Sequence, residues 1–173
     1  MAFLDWFRVE GARAADGHGD TDTVRRIVGE LDKLDPARAR YLAAFAYVLS
    51  RVAAADLHIS EVETARMVAI LEQVGHLPGA QATLVVEIAK SQSRLLGGTE
   101  NFLVTREFRE IASDDQRREL LDCLFAVSAA DDAISAEEEA QIKQISSELG
   151  ISHVQYVQSR LPYSDKRTLF KRV

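Results

Sequence analysis

One stretch of the sequence occurs twice. Residues 49–75 and 124–150 align without a gap: Leu49 with Leu124, Val52 with Val127, Asp56 with Asp131, Ile59 with Ile134, Ser60 with Ser135, Glu63 with Glu138 and Gly75 with Gly150. Each copy reads as the end of one helix, a short acidic junction (AADLHISEVE at 54–63, AADDAISAEE at 129–138) and the start of the next helix. Self-similarity at a fixed offset implies two like supersecondary units. Each unit carries an apolar stripe that it cannot bury alone. The expected outcome is one compact all-α bundle of seven to eight helices, in which two related halves share a core about a pseudo-twofold axis.

The apolar period is helical along the rest of the chain. Val24, Ile27, Val28, Leu31 and Leu34 form a first stripe, and Asp35-Pro36 ends that helix and caps the next. Leu42, Phe45, Leu49 and Val52 carry a second stripe to Ala55. Ser60 opens a third helix that Gly75 stops; Leu84, Val85 and Ile88 mark a fourth, ending near Lys90. Val104, Phe108 and Ile111 mark a fifth, Ser113 opens the sixth, Ser135 the seventh, and Ser152 a short eighth helix through Val154, Val157 and Leu161, ended by Pro162. No segment alternates apolar and polar with a period of two, so no sheet is expected. The organisation expected is an N-terminal apolar cluster and flexible linker (1–22), a single helical domain (23–162, halves 23–96 and 99–162) and a basic tail (163–173), solvated or loosely docked.

Composition narrows the function classes. The formal net charge of -6 argues against nucleic-acid binding, which needs a basic face. The lone cysteine, Cys123, permits no internal disulfide, forms no zinc pattern and is expected as a buried, inert thiol. A reducing cytoplasm fits. No apolar run reaches the ~20 residues of a transmembrane helix, and MAFLDWFRVE, with Asp5 in its apolar stretch, is a poor signal peptide. No nucleophile–base pair and no HExxH motif is present, and LLGGTE is a turn without a P-loop. His18, His58, His76 and His153 read as surface histidines.

The junctions carry the candidate chemistry. The spacing Asp-x-x-Ile-x-x-x-Glu is the back half of an EF-hand calcium loop. The loop's first and third ligand positions fall on Val52 and Ala54, and on Val127 and Ala129, which offer no side-chain oxygen; its glycine is Leu57 or Asp132. A standard EF-hand is therefore rejected. SEVE (60–63) and SAEE (135–138) are both S-x-x-E capping boxes, and Glu61 and Glu137 complement the positive helix end. If the two junctions meet, Asp56, Glu63, Asp131, Asp132 and Glu138, with Glu61 and Glu137, would form an open acidic surface suited to a hard divalent cation, Ca²⁺ or Mg²⁺.

At these positions the sequence resembles the tellurite-resistance TerB-like family, whose members carry the motif A-D-G-x-I-x-x-x-E between helices, twice. Ala55, Asp56, Ile59 and Glu63 fit the first copy; Ala130, Asp131, Ile134 and Glu138 fit the second. The likeness covers most of residues 31–161, and the motif glycine is absent from both copies. The resemblance implies an all-helical, internally duplicated, acidic, cytoplasmic protein, in a setting of tellurite resistance or stress response with divalent-metal binding proposed. A related domain precedes a J-domain, but no HPD tripeptide occurs here. The expected function is a non-enzymatic interaction module that presents an acidic surface to a protein partner. The alternatives are a divalent-cation binder or sensor and a peripheral membrane adaptor with weak surface contact through residues 1–9 and the basic tail.

Overall fold

The computed structural model describes residues 20–53, 60–95 and 101–168. Eight α-helices follow one another there: α1 (Asp20–Asp32), α2 (Pro36–Ala53), α3 (Glu61–Gln73), α4 (Gly79–Leu95), α5 (Asn101–Ile111), α6 (Asp114–Ala129), α7 (Ala136–Glu148) and α8 (His153–Arg160). A 3₁₀ segment, Leu161–Lys166, follows α8 and leads to Arg167 and Thr168. No strand occurs among the described residues. Ile134 and Arg167 form an isolated parallel bridge.

The bundle is built around α2. The Asp35 carboxylate accepts from the amides of Ala37 and Arg38, which fixes the start of this helix as its sequence suggests. Ten successive residues, 41–50, are buried, Ser50 and Tyr41 included. The sequence pattern marks one stripe of α2, but the helix is enclosed on every side, by α1, α4, α5, α6 and α7. Such enclosure is available to a helix that is apolar all round. Ala43, Ala44 and Ala46 fill the positions between the large side chains and let neighbouring helices come close. Phe108 of α5 packs against Tyr41 and Phe45, with ring centroids 5.4 and 6.0 Å away.

Where the core stripe runs out, charge enters in pairs. Arg51 in the last turn of α2 donates to Glu148 of α7 (2.6 Å) and to Thr105 of α5 (2.7 Å). Both charged side chains are more than nine-tenths buried, and Gln144 also donates to Glu148. A charge placed here survives because its partners replace the lost water.

Two expectations need correction. First, α4 runs to Leu95, beyond the expected end near Lys90, and Ser91 turns its hydroxyl back onto the Glu87 carbonyl at 3.0 Å. Second, Val154 and Leu161 of the eighth stripe are 65% and 62% exposed. The buried residues of α8 are Tyr156 and Ser159; Tyr156 packs against Phe125 of α6 with centroids 5.7 Å apart, and this larger aromatic contact sets the helix rotation. α8 ends at Arg160, as expected of a helix followed by Pro162, and Pro162 itself lies in the 3₁₀ segment. α3 and α7 are of equal length, and each is entered through a serine capping box.

The matched glycines do different jobs. Gly150 has φ of +71° and forms the left-handed exit of α7, with the Ile151 amide donating to Ser146 O at 3.0 Å. At the end of α3 the left-handed residue is His76, φ of +53°. Gly75 is needed there for space: a Cβ would lie 2.8 Å from Leu71 O and 2.9 Å from Cys123 Sγ. Gly75→Ala is expected to cost ~1–3 kcal/mol in urea unfolding through overpacking. The cost should shrink in a Cys123→Ala background without vanishing, because the Leu71 carbonyl is backbone. Equal penalties in both backgrounds would contradict the Cys123 contact.

Candidate functional site

The two acidic junctions are the candidate site. Of the first, the described chain resumes at Ser60; Asp56, with the rest of 54–59, lies outside the described residues. Ser60 has extended backbone (φ -68°, ψ 165°), as a cap requires. Its hydroxyl accepts from the Glu63 amide at 3.2 Å, and the Glu63 carboxylate accepts from the Ser60 amide at 2.6 Å. These hydrogen bonds, the Ser60 amide first, hold the Glu63 carboxyl below the usual glutamate range. Thr64 then returns its hydroxyl to Ser60 O, and Lys90 of α4 donates to that hydroxyl at 3.1 Å.

The second junction is described in full. Ala130 caps the end of α6, and Asp132 sits in the left-handed region with φ of +62°. This is the place of the motif glycine, and aspartate is among the few other residues that tolerate it. Ser135 repeats the cap: its amide donates to Glu138 at 2.8 Å, and its hydroxyl accepts from the Glu138 amide at 3.1 Å. Ile134, the apolar position of the motif, is fully buried. Its amide donates to Lys166 O at 2.8 Å and its carbonyl accepts from the Thr168 amide at 3.0 Å.

Ionic contacts complete the joint. Lys166 donates to Asp132 at 2.6 Å, and this hydrogen bond holds the ammonium above its ordinary range. Arg167, buried, clasps both carboxylate oxygens of Glu139, through Nε at 2.8 Å and through Nη2. The same carboxylate has Arg160 at 3.5 Å, whose guanidinium lies 5.3 Å from the Tyr156 ring centroid. The tail expected to be solvated or loosely docked is therefore firmly docked as far as Thr168. The remaining tail, 169–173, and the N-terminal cluster lie outside the described residues.

The sequence-predicted acids thus separate by role. Glu63 and Glu138 close caps, Asp132 is paired, and Glu61, Asp131 and Glu137 are exposed. Among the described residues no three His, Cys, Asp or Glu side chains converge to hold a metal ion. Donors committed to amides and to a lysine do not form a ready cation cage at the second junction. The residues that matter most here and that the motif did not mark are Glu139 and Arg167, 28 positions apart. Cys123 is fully buried, and burial pushes its thiol well up, so it stays protonated.

A family model described as tellurite resistance protein TerB matches residues 41–161, from inside α2 to the end of α8. No curated protein and no solved structure matches the chain.

Two outcomes follow from this geometry. Because the folded Glu63 pKa is depressed, its contribution to stability is present above the ordinary glutamate range and is lost as pH falls through the lowered value. Amide exchange in the first turn of α3 should therefore accelerate on acidification in wild type, with a weaker dependence in Glu63→Gln. Cys123 should resist a thiol reagent in the native protein and react fully on denaturation; rapid native labelling would contradict its burial.

Proposed function

This chain belongs to the TerB tellurite-resistance family, and on that premise we propose that it is a non-enzymatic helical interaction module which presents an acidic surface to a protein partner. The setting proposed is a tellurite or stress response in the cytoplasm. One observation carries the reading. At both helix starts one glutamate is turned inward to close the cap, while its neighbour, Glu61 in α3 and Glu137 in α7, remains exposed. Capping accounts for the inward acids; the outward ones, with Asp131, are the groups available to a partner. Exposed charges of this kind steer association and select partners more than they stabilise the fold.

The divalent-cation reading uses Asp56, Glu63, Asp131, Asp132 and Glu138, with Glu61 and Glu137 as further donors. The peripheral-membrane reading rests on residues outside the described chain, and no helix among the described residues is long and apolar enough to cross a membrane.

The test is charge reversal. Glu61→Lys/Glu137→Lys should lose the partners cross-linked to the wild-type chain in its own cells, at a stability cost of ~0.3–1 kcal/mol per site from the helix ends. Retention of the same partners by the folded variant would overturn the proposal. Calorimetric titration with Ca²⁺ and with Mg²⁺ should give no saturable heat. Saturable heat in wild type that is lost in Asp56→Asn/Asp131→Asn would establish the cation reading in its place.

A further inference from the structure

The described end of the chain behaves as a ligand bound to the rest of it. Tyr163 stacks on Phe125, with centroids 6.1 Å apart and an interplanar angle of 11°. The 3₁₀ segment then gives way to extended backbone at Arg167 (φ -75°, ψ 118°). From there three successive residues are recognised by three different groups. The flanking Lys166 carbonyl and Thr168 amide pair with Ile134, Lys166 Nζ meets Asp132, and the Arg167 guanidinium meets Glu139 edge-on. Thr168 also donates its hydroxyl to Ile134 O at 3.0 Å.

Main-chain pairing with an extended segment supplies affinity that is independent of sequence, and side-chain sites on either side supply selectivity. A carboxylate that takes a guanidinium in two parallel hydrogen bonds selects arginine over lysine. The Glu139 site is built for this. Its carboxylate is nearly fully buried, Tyr156 and Arg160 lie beside it, and the Arg167 guanidinium replaces the lost water. The reading groups Asp132, Ile134, Glu139, Tyr156 and Arg160 lie inside the family match, whereas Lys166, Arg167 and Thr168 lie beyond its last residue.

We infer that the edge formed by Asp132, Ile134 and Glu139 is a docking site for an extended protein segment carrying a Lys-Arg pair, and that residues 163–168 are its intramolecular occupant. The inference rests on the interaction-module reading and adds to its outward acids a second contact edge, which the chain's own end covers. Tethering gives the occupant an effective concentration on the order of millimolar. A partner segment must therefore exceed it in affinity, or the occupant must first be loosened. The site is thus closed by default and selective for partners that bring contacts beyond the Lys-Arg pair.

The test uses the full chain and a blocked synthetic peptide of residues 162–168. Arg167→Ala should lower the melting temperature, because Glu139 loses its principal partner. The peptide should restore part of the loss saturably and bind this variant at least ten-fold tighter than wild type. The same peptide carrying Arg167→Ala should do neither, and adding Glu139→Gln to the protein should abolish the rescue. Lys166→Ala, which leaves the buried pair intact, provides a milder opening if Arg167→Ala does not fold. Failure of the folded variants to bind the peptide, equal binding of the alanine peptide, or wild-type binding as tight as the variant's would each overturn the assignment. If the peptide fails while charge reversal of Glu61 and Glu137 still releases partners, the edge assignment falls and the interaction module stands.

Discussion

A helical stretch with no solvent face must be covered from all directions, and residues 41–50 of α2 are such a stretch. Its ten consecutive buried residues leave the chain little freedom: α1, α4, α5, α6 and α7 are all required to shield it. The backbone of α2 satisfies its own hydrogen bonds, so it can be enclosed without orphaned main-chain groups. Its alanines set close approach on some sides, and Tyr41 and Phe45 set wider contacts where α5 crosses. Arg51 marks the end of this enclosure. Lying between the buried Leu49 and Val52, it ties α2 to α5 and α7 through Thr105 and Glu148. Removing one partner of such a pair strands a buried charge, at a cost of ~3–5 kcal/mol, so the pair enforces how these three helices meet.

Features that depend on neighbours in sequence were legible before the structure was known. The four serine caps are closed within three residues, and each forms the box its sequence spells: Ser60 with Glu63, Ser113 with Gln116, Ser135 with Glu138 and Ser152 with Gln155. Helix content and order follow from the 3.6-residue period for the same reason. Features set by distant contacts were not legible. Arg51 and Glu148 are 97 residues apart, Arg167 and Glu139 are 28 apart, and nothing local to either member announces the other. The rotation of α8 is set in the same way: Val154 and Leu161 have the apolar spacing, yet Tyr156 offers the larger contact to Phe125. Gly75 and Gly150 show the limit of the repeat itself. They align in sequence, but one serves a close approach to Cys123 and the other a left-handed turn.

The acidic junction acquires a different meaning from these contacts. Half a calcium loop in sequence becomes, at the second junction, a joint held from within. Glu138 caps α7, Asp132 supplies the left-handed residue and holds Lys166, and Ile134 is buried while its backbone pairs with the end of the chain. The carboxylates turned inward and those turned outward therefore belong to separate tasks. The inward set fixes how α6 leads into α7; the outward set remains for recognition. A joint closed by a segment of the same chain is also one that a competing segment can enter, because the pairing groups are the same in either case.

Residue-resolved amide hydrogen exchange at Ile134 and Thr168 measures that closure most directly. Neither amide belongs to a helical ladder, and each is protected only by its pairing across the joint. Strong protection of both in the wild-type chain, lost together when Arg167 is replaced by alanine, is the predicted result. Exchange of both at the rate of an unstructured peptide, in a wild-type chain whose α2 amides remain protected, would contradict a second junction closed from within.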